Sequence, residues 1–226
     1  MIKENLKQQA YQLLKTKILT CEYGPGTSLT EAFLIEDTGL SRTPIKDALS
    51  RLEQEQLIII LPKKGIQVSA VEINEINMIY ETRNLIEPYI IRKYGLTIPR
   101  DALTELKASF KEMPVKISED GTKTELDKYK AYGYDDSFHK LIVASSKNIH
   151  LTFATEHTNN QNTRLRALTG VDEARLQASN PEHIRIIEKL LEGDAPGAAI
   201  AMEEHLRLFK EASFKAIIEN GGWKLN

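Results

Sequence analysis

The chain has 226 residues, 41% of them hydrophobic, a net charge of −2 and one cysteine, Cys21. That length holds one large core or two smaller ones, and the near-neutral charge argues against nonspecific polyanion binding by the whole chain. A single cysteine excludes an internal disulfide and fits the cytoplasm, with Cys21 read as a small buried apolar residue. No apolar run reaches the ~18 residues of a membrane span, and the polar start MIKENLKQQAYQ is not a signal peptide.

In chain order, Ala10, Leu13, Leu14 and Ile18 recur at helical spacing and predict a first helix over about 6–20. Gly24-Pro25-Gly26 forms a turn. Thr30 is suited to cap a short second helix, with Glu31 well placed at its positive end, and Gly39 stops it. Thr38-Gly39-Leu40-Ser41 has the length and the glycine of a helix-turn-helix connection. Ser41 is suited to cap a third helix that turns Ile45, Ala48, Leu49 and Leu52 inward. The isoleucine-rich run Leu57 to Leu61 then predicts a strand. Pro62-Lys63-Lys64-Gly65 is a hairpin turn, and Ile66-Gln67-Val68 a return strand.

That order is a winged helix-turn-helix. Residues 41–65 carry five basic side chains (Arg42, Lys46, Arg51, Lys63, Lys64) against three acidic ones (Asp47, Glu53, Glu55). A duplex demands positive charge where it is touched. The third helix of such a module sets its first residues against base edges in the major groove; here these are Arg42, Thr43 and Lys46. Arginine can bond guanine bidentately, while threonine and lysine reach bases or phosphates. The basic hairpin tip suits a phosphate or the minor groove.

The segment resembles the winged helix of the GntR family of bacterial transcription regulators. The resemblance is carried by Pro25-Gly26, Leu29, Glu31, Gly39, Ser41-Arg42-Thr43-Pro44, Ala48-Leu49, Arg51-Leu52-Glu53, Leu57, Pro62 and Gly65. It implies DNA contacts at Arg42, Thr43, Lys46, Lys64 and Gly65. Where the family usually has arginine at position 46, this chain has lysine, which lacks the planar fork.

After Val71 strand alternation ends, so the boundary is placed between 1–70 and 71–226. Six or seven amphipathic helices are expected, over about 72–94, 100–113, 123–146, 149–168, 172–178 (weak), 181–192 and 195–219. Pro114 to Gly121 reads as a loop, Asn180 as a cap and Pro181 as a helix start. The fold class is mainly α: a small β-hairpin wing in front of an all-α bundle.

Asp135 and His139, four apart on a helix, project from one face. His183 and His205 fall on later helices that can face the same centre. Singly, each histidine is more often a surface or packed residue. Together, one carboxylate and three imidazoles suit a borderline divalent ion such as Zn²⁺, Ni²⁺ or Mn²⁺. Asp136 points about 100° away on the helix, so no general base accompanies the set and a metalloenzyme is disfavoured.

This half resembles the FCD type of ligand-sensing domain. The matching residues are Arg83 with Leu85-Ile86-Glu87-Pro88, Asp135 to His139, His183-Ile184, Gly193-Asp194, Ala198-Ala199, Met202 and His205-Leu206. The resemblance implies a metal held by Asp135, His139, His183 and His205, and a small organic or sugar acid as effector. Arg83 is the matching effector-binding arginine, with Arg164 and Arg166 as further candidates. It also implies a homodimeric repressor on a palindromic double-stranded operator. His150 and His157 match no motif and are expected to be exposed or capping; Trp223 is expected to pack or contact the tail.

Overall fold

The structure is a computed structural model, and it describes residues 2–112, 125–169 and 173–219. Helices α1 (Ile2–Leu19), α2 (Glu31–Thr38) and α3 (Arg42–Gln54) precede and flank a small sheet of β1 (Ser28–Leu29), β2 (Ile58–Leu61) and β3 (Gly65–Val68). Thr30 caps α2, its hydroxyl accepting from the Phe33 amide at 3.1 Å, and Gly39 ends it in the left-handed region at φ 67°. Ser41 is the N-cap of α3 but makes no side-chain cap bond.

The sheet has one strand more than the sequence predicts. Its order is β1-β3-β2, antiparallel throughout, with Leu29 opposite Ile66 and Ile60 opposite Ile66 from the other side. A two-residue strand leaves too little alternation to be read as one. Gly65 has φ 104°, and a Cβ there would sit 2.8 Å from the Leu29 carbonyl oxygen. Only glycine permits both that backbone and that approach. Ala10, Leu14, Ile18, Leu34, Ile45, Leu52 and Val68 are among the side chains of this core.

A second core lies in the bundle of α4 (Ile73–Tyr94), α5 (Arg100–Glu112), α6 (Glu125–Ser145), α7 (Ile149–Thr169), α8 (Glu173–Leu191) and α9 (Ala195–Glu219), with a 3-10 turn at Gly95–Thr97. α9 packs along α4 and α8, and α7 faces both α4 and the N-terminal α1. The expected loop over 114–121 and Trp223 lie outside the described residues.

The predicted break at Asn180-Pro181 is corrected: α8 runs through Pro181, as α4 runs through Pro88. An interior proline costs ~3 kcal/mol, since it lacks an N–H and crowds the carbonyl four residues back. Around it, Ser179, His183, Ile186, Ile187 and Leu190 are buried. Burial of each aliphatic contributes roughly 1.5–3 kcal/mol, enough to hold the two halves in one helix.

Candidate nucleic-acid interface and metal centre

At the first site, Ser41 to Lys46 form the opening turn of α3 and face solvent, except for Pro44 and Ile45, which enter the core. The Arg42 and Lys46 side chains are 70% and 59% exposed. Both lie against Glu31 at the start of α2: Arg42 Nε is 3.4 Å and Lys46 Nζ 3.8 Å from its carboxylate. The closest approach of Glu31 to Arg42 is thus at Nε. Lys63 and Lys64 are exposed at the hairpin tip, with Lys63 at φ 63° and Gly65 directly behind.

At the second site, Asp135 and His139 on α6, His183 on α8 and His205 on α9 come together. One donor atom from each lies within 4.8 Å of the others, and all four residues are buried. Asp135 Oδ1, His139 Nε2, His183 Nε2 and His205 Nε2 make no well-directed hydrogen bond among the described residues, although His183 Nε2 and His139 Nε2 approach Asp135 Oδ1 to 3.3 and 3.8 Å. Each buried polar atom left so costs ~1–3 kcal/mol, and a divalent cation would satisfy all four.

The outward nitrogens are committed. His139 Nδ1 lies 2.6 Å from Glu87 Oε2, and His205 Nδ1 lies 2.8 Å from Glu182 Oε2. A carboxylate there accepts a hydrogen bond from Nδ1–H, which fixes the tautomer and leaves the Nε2 lone pair for a metal. Arginine holds each carboxylate in turn: Arg83 Nε donates to Glu87 at 2.6 Å, and Arg175 grips Glu182 with two bonds of 2.7 Å. His183 has no such backing; its ring stacks on Phe110 at 4.6 Å and tilts against Phe138 at 4.8 Å.

Electrostatics favour the ligating forms. Burial, followed by His183 and His139, holds the His205 imidazole well below its ordinary value; burial also lowers His183, outweighing Asp135. Both therefore stay neutral. Burial would raise the Asp135 carboxyl, but Arg166, His183 and His139 bring it far below the usual range. Glu87 is likewise desolvated, yet Arg83 and His139 lower it to about 2.

Two of the three candidate arginines therefore stand at this centre, each already holding a carboxylate. Arg83 sits behind His139 through Glu87, and Arg166 donates to Asp135 Oδ2 and, at 2.5 Å, to Asp136 Oδ1. Arg164 is placed elsewhere. Its guanidinium donates to the Ser69 carbonyl and to Gln161 Oε1. His150 and His157 are exposed. Glu87 and Glu182 were missed, though the spacings carried a signal: Glu87 is one turn beyond Arg83, and Glu182 two turns beyond Arg175.

Residues 6–68 match the family of bacterial regulatory proteins called gntR, and residues 78–208 match the FCD domain. The chain belongs to the GntR family. This GntR protein is 24% identical over 219 residues to the HTH-type transcriptional repressor RspR of Escherichia coli K12, spanning 96% of this chain and 93% of that one. It is 27% identical over 182 residues to the HTH-type transcriptional regulator YdhC of Bacillus subtilis strain 168, spanning 80% and 79%. Among solved structures, E. coli McbR/YncC shares the fold at 18% identity, with a TM-score of 0.74 over 93% of this chain and 97% of that one. The protein is a transcription regulator and not an enzyme. No helix among the described residues is long and apolar enough to cross a membrane.

Proposed function

We propose that this GntR regulator is a homodimeric repressor, released from a palindromic operator when a small organic or sugar acid binds at a divalent-metal site in the bundle. The observation that carries the reading is the convergence of four buried donor atoms from Asp135, His139, His183 and His205, none with a well-directed hydrogen bond among the described residues. Three imidazoles and one carboxylate suit Zn²⁺, Ni²⁺ or Mn²⁺. Bound there, the ion supplies a Lewis-acidic position for a carboxylate. Arg83 and Arg166 flank it, and each reaches an incoming acid by exchanging a carboxylate it now holds.

On the DNA side, Arg42, Thr43 and Lys46 read bases, while Lys64 and the backbone at Gly65 hold the phosphates. Two-fold symmetry of the protein would mirror two half-sites. An effector moves the equilibrium only through different affinities for the two arrangements of the readers.

The test is metal analysis of the purified protein and of a His183→Ala/His205→Ala variant, with operator binding followed across dicarboxylic and sugar acids. One metal per chain, lost in the variant, and at least one acid that weakens DNA binding only in the metal-loaded protein, are expected. Equal metal content in both proteins would refute the ligand set. No response to any acid would leave the ion structural and the bundle a dimerisation element.

A further inference from the structure

α7 carries two polar faces. Asn160 and Arg164 are four residues apart and share one; Asn162 and Arg166 are four apart and share another. The offset of two residues sets the pairs about 200° round the helix. All four side chains are buried.

The outer face meets the N-terminal module. The Arg164 guanidinium donates to the backbone carbonyl of Ser69, the residue after β3, and to Gln161 Oε1 at 3.0 Å. Its backbone carbonyl accepts from Cys21 Sγ at 3.8 Å. One turn earlier, Asn160 Nδ2 donates to Glu55 Oε2 at 3.4 Å, a carboxylate also bound by Lys15 at 2.7 Å and by the Tyr11 hydroxyl at 2.5 Å. The inner face meets the bundle. Arg166 holds Asp135 and Asp136, and Asn162 Oδ1 accepts from the Tyr80 hydroxyl at 3.3 Å.

We propose that Arg164 is a positioning residue that docks the DNA reader on the outer face of α7, so that a change at Asp135, felt through Arg166 on the inner face, alters the reader's placement. The second half of this statement rests on the metal-responsive reading above; the docking itself does not.

The chemistry favours a latch that can open. A fully buried guanidinium costs several kcal/mol unless it is well paired, and among the described residues Arg164 forms an ion pair with no carboxylate. Its two acceptors are uncharged oxygens. Burial, the larger influence, depresses its basicity against the pull of Cys21 and Glu75. Undocking would return the guanidinium to water, so closure holds with little to spare. Beside it, between α1 and the α6–α7 pair, a cleft of about 540 Å³ is lined by Lys15, Asn160 and Asp136. Asp136 shares Arg166 with Asp135, so the cleft and the centre have one cation in common.

Cys21 provides the test, because it is the only cysteine in the chain and is half-buried at this contact. In chelator, its reaction rate with a disulfide reagent reports opening. Arg164→Ala should raise that rate about 10-fold or more, the scale on which losing one charge-assisted hydrogen bond shifts an opening equilibrium. Removing the cation raises the thiol's pKa and by itself slows the reaction, so acceleration reads exposure alone. Asn160→Ala should raise the rate by less, and it serves also if Arg164→Ala does not fold. A rate unchanged or slower in the folded variants overturns the docking role.

The second arm measures affinity for DNA selected by the wild-type protein from a random pool, with Zn²⁺ and with chelator. The wild-type ratio of the two affinities should collapse towards one in Arg164→Ala while Zn²⁺ still binds with unchanged stoichiometry. A ratio preserved in that variant overturns the coupling. A ratio of one in the wild type refutes the metal-responsive reading, and the thiol rates still decide the docking.

Discussion

The N-terminal module and the bundle solve opposite problems. In the first, the candidate DNA contacts stand in water: the cations Arg42, Lys46, Lys63 and Lys64 and the hydroxyl-bearing Thr43 are exposed, and Glu31 is the only carboxylate against Arg42 and Lys46 among the described residues. The partner proposed for them is another molecule. In the second, the candidate ligands are buried, and two of the three imidazoles are already engaged on their outward side, in the chains Arg83–Glu87–His139 and Arg175–Glu182–His205. Exposed charges tune association, whereas buried ones fix geometry. A substitution in the module should therefore change affinity by degrees, while one in the bundle should decide whether the site exists.

The sharpest way to break that contrast is His139→Ala. It should abolish stoichiometric metal binding by calorimetry, exceeding the ~10–100-fold losses of outer-shell changes, yet leave DNA affinity of the metal-free protein intact. Next in size, Glu182→Gln should weaken metal binding ~10–100-fold by loosening the His205 tautomer; retention of wild-type affinity would show that the backing carboxylate is idle. Arg42→Ala should cost ~1–3 kcal/mol in operator binding and relax preference at one base pair, read by competition against single-base variants. Lys64→Ala should weaken all sequences alike and flatten the slope of log affinity against log salt by about one. Smallest, Glu31→Gln should raise nonspecific DNA affinity by no more than ~1 kcal/mol, as expected of an exposed ion pair. A larger change would mean that Glu31 sets the Arg42 geometry.

Legibility in the sequence follows the same division. In the N-terminal module the signals are local. Thr30, Gly39, Ser41 and Gly65 punctuate elements a few residues long, and the cations sit inside that punctuation. Only β1 escaped, because two residues have no period. In the bundle, helices were legible from apolar spacing and the four potential ligands from their residue types. Partners were not, since whether an arginine meets a ligand, a carboxylate or a carbonyl depends on how helices distant in sequence cross. Arg164 and Arg166 show this well: two residues apart, they point to opposite sides of α7 and serve different neighbours. Pro181 misled for a related reason, as a local breaker overruled by the burial of Ile186, Ile187 and Leu190 on the same helix.

The spacing of the centre along the chain has a consequence in time. Every candidate DNA contact precedes Ile66, and the core beneath it closes with Val68. The fourth candidate metal donor, His205, comes 137 residues after Val68. Synthesis proceeds from the N-terminus at ~5–20 residues per second, and domains fold as units. For several seconds, then, a nascent chain carries a closed N-terminal core and its candidate DNA contacts while the candidate metal centre is still incomplete.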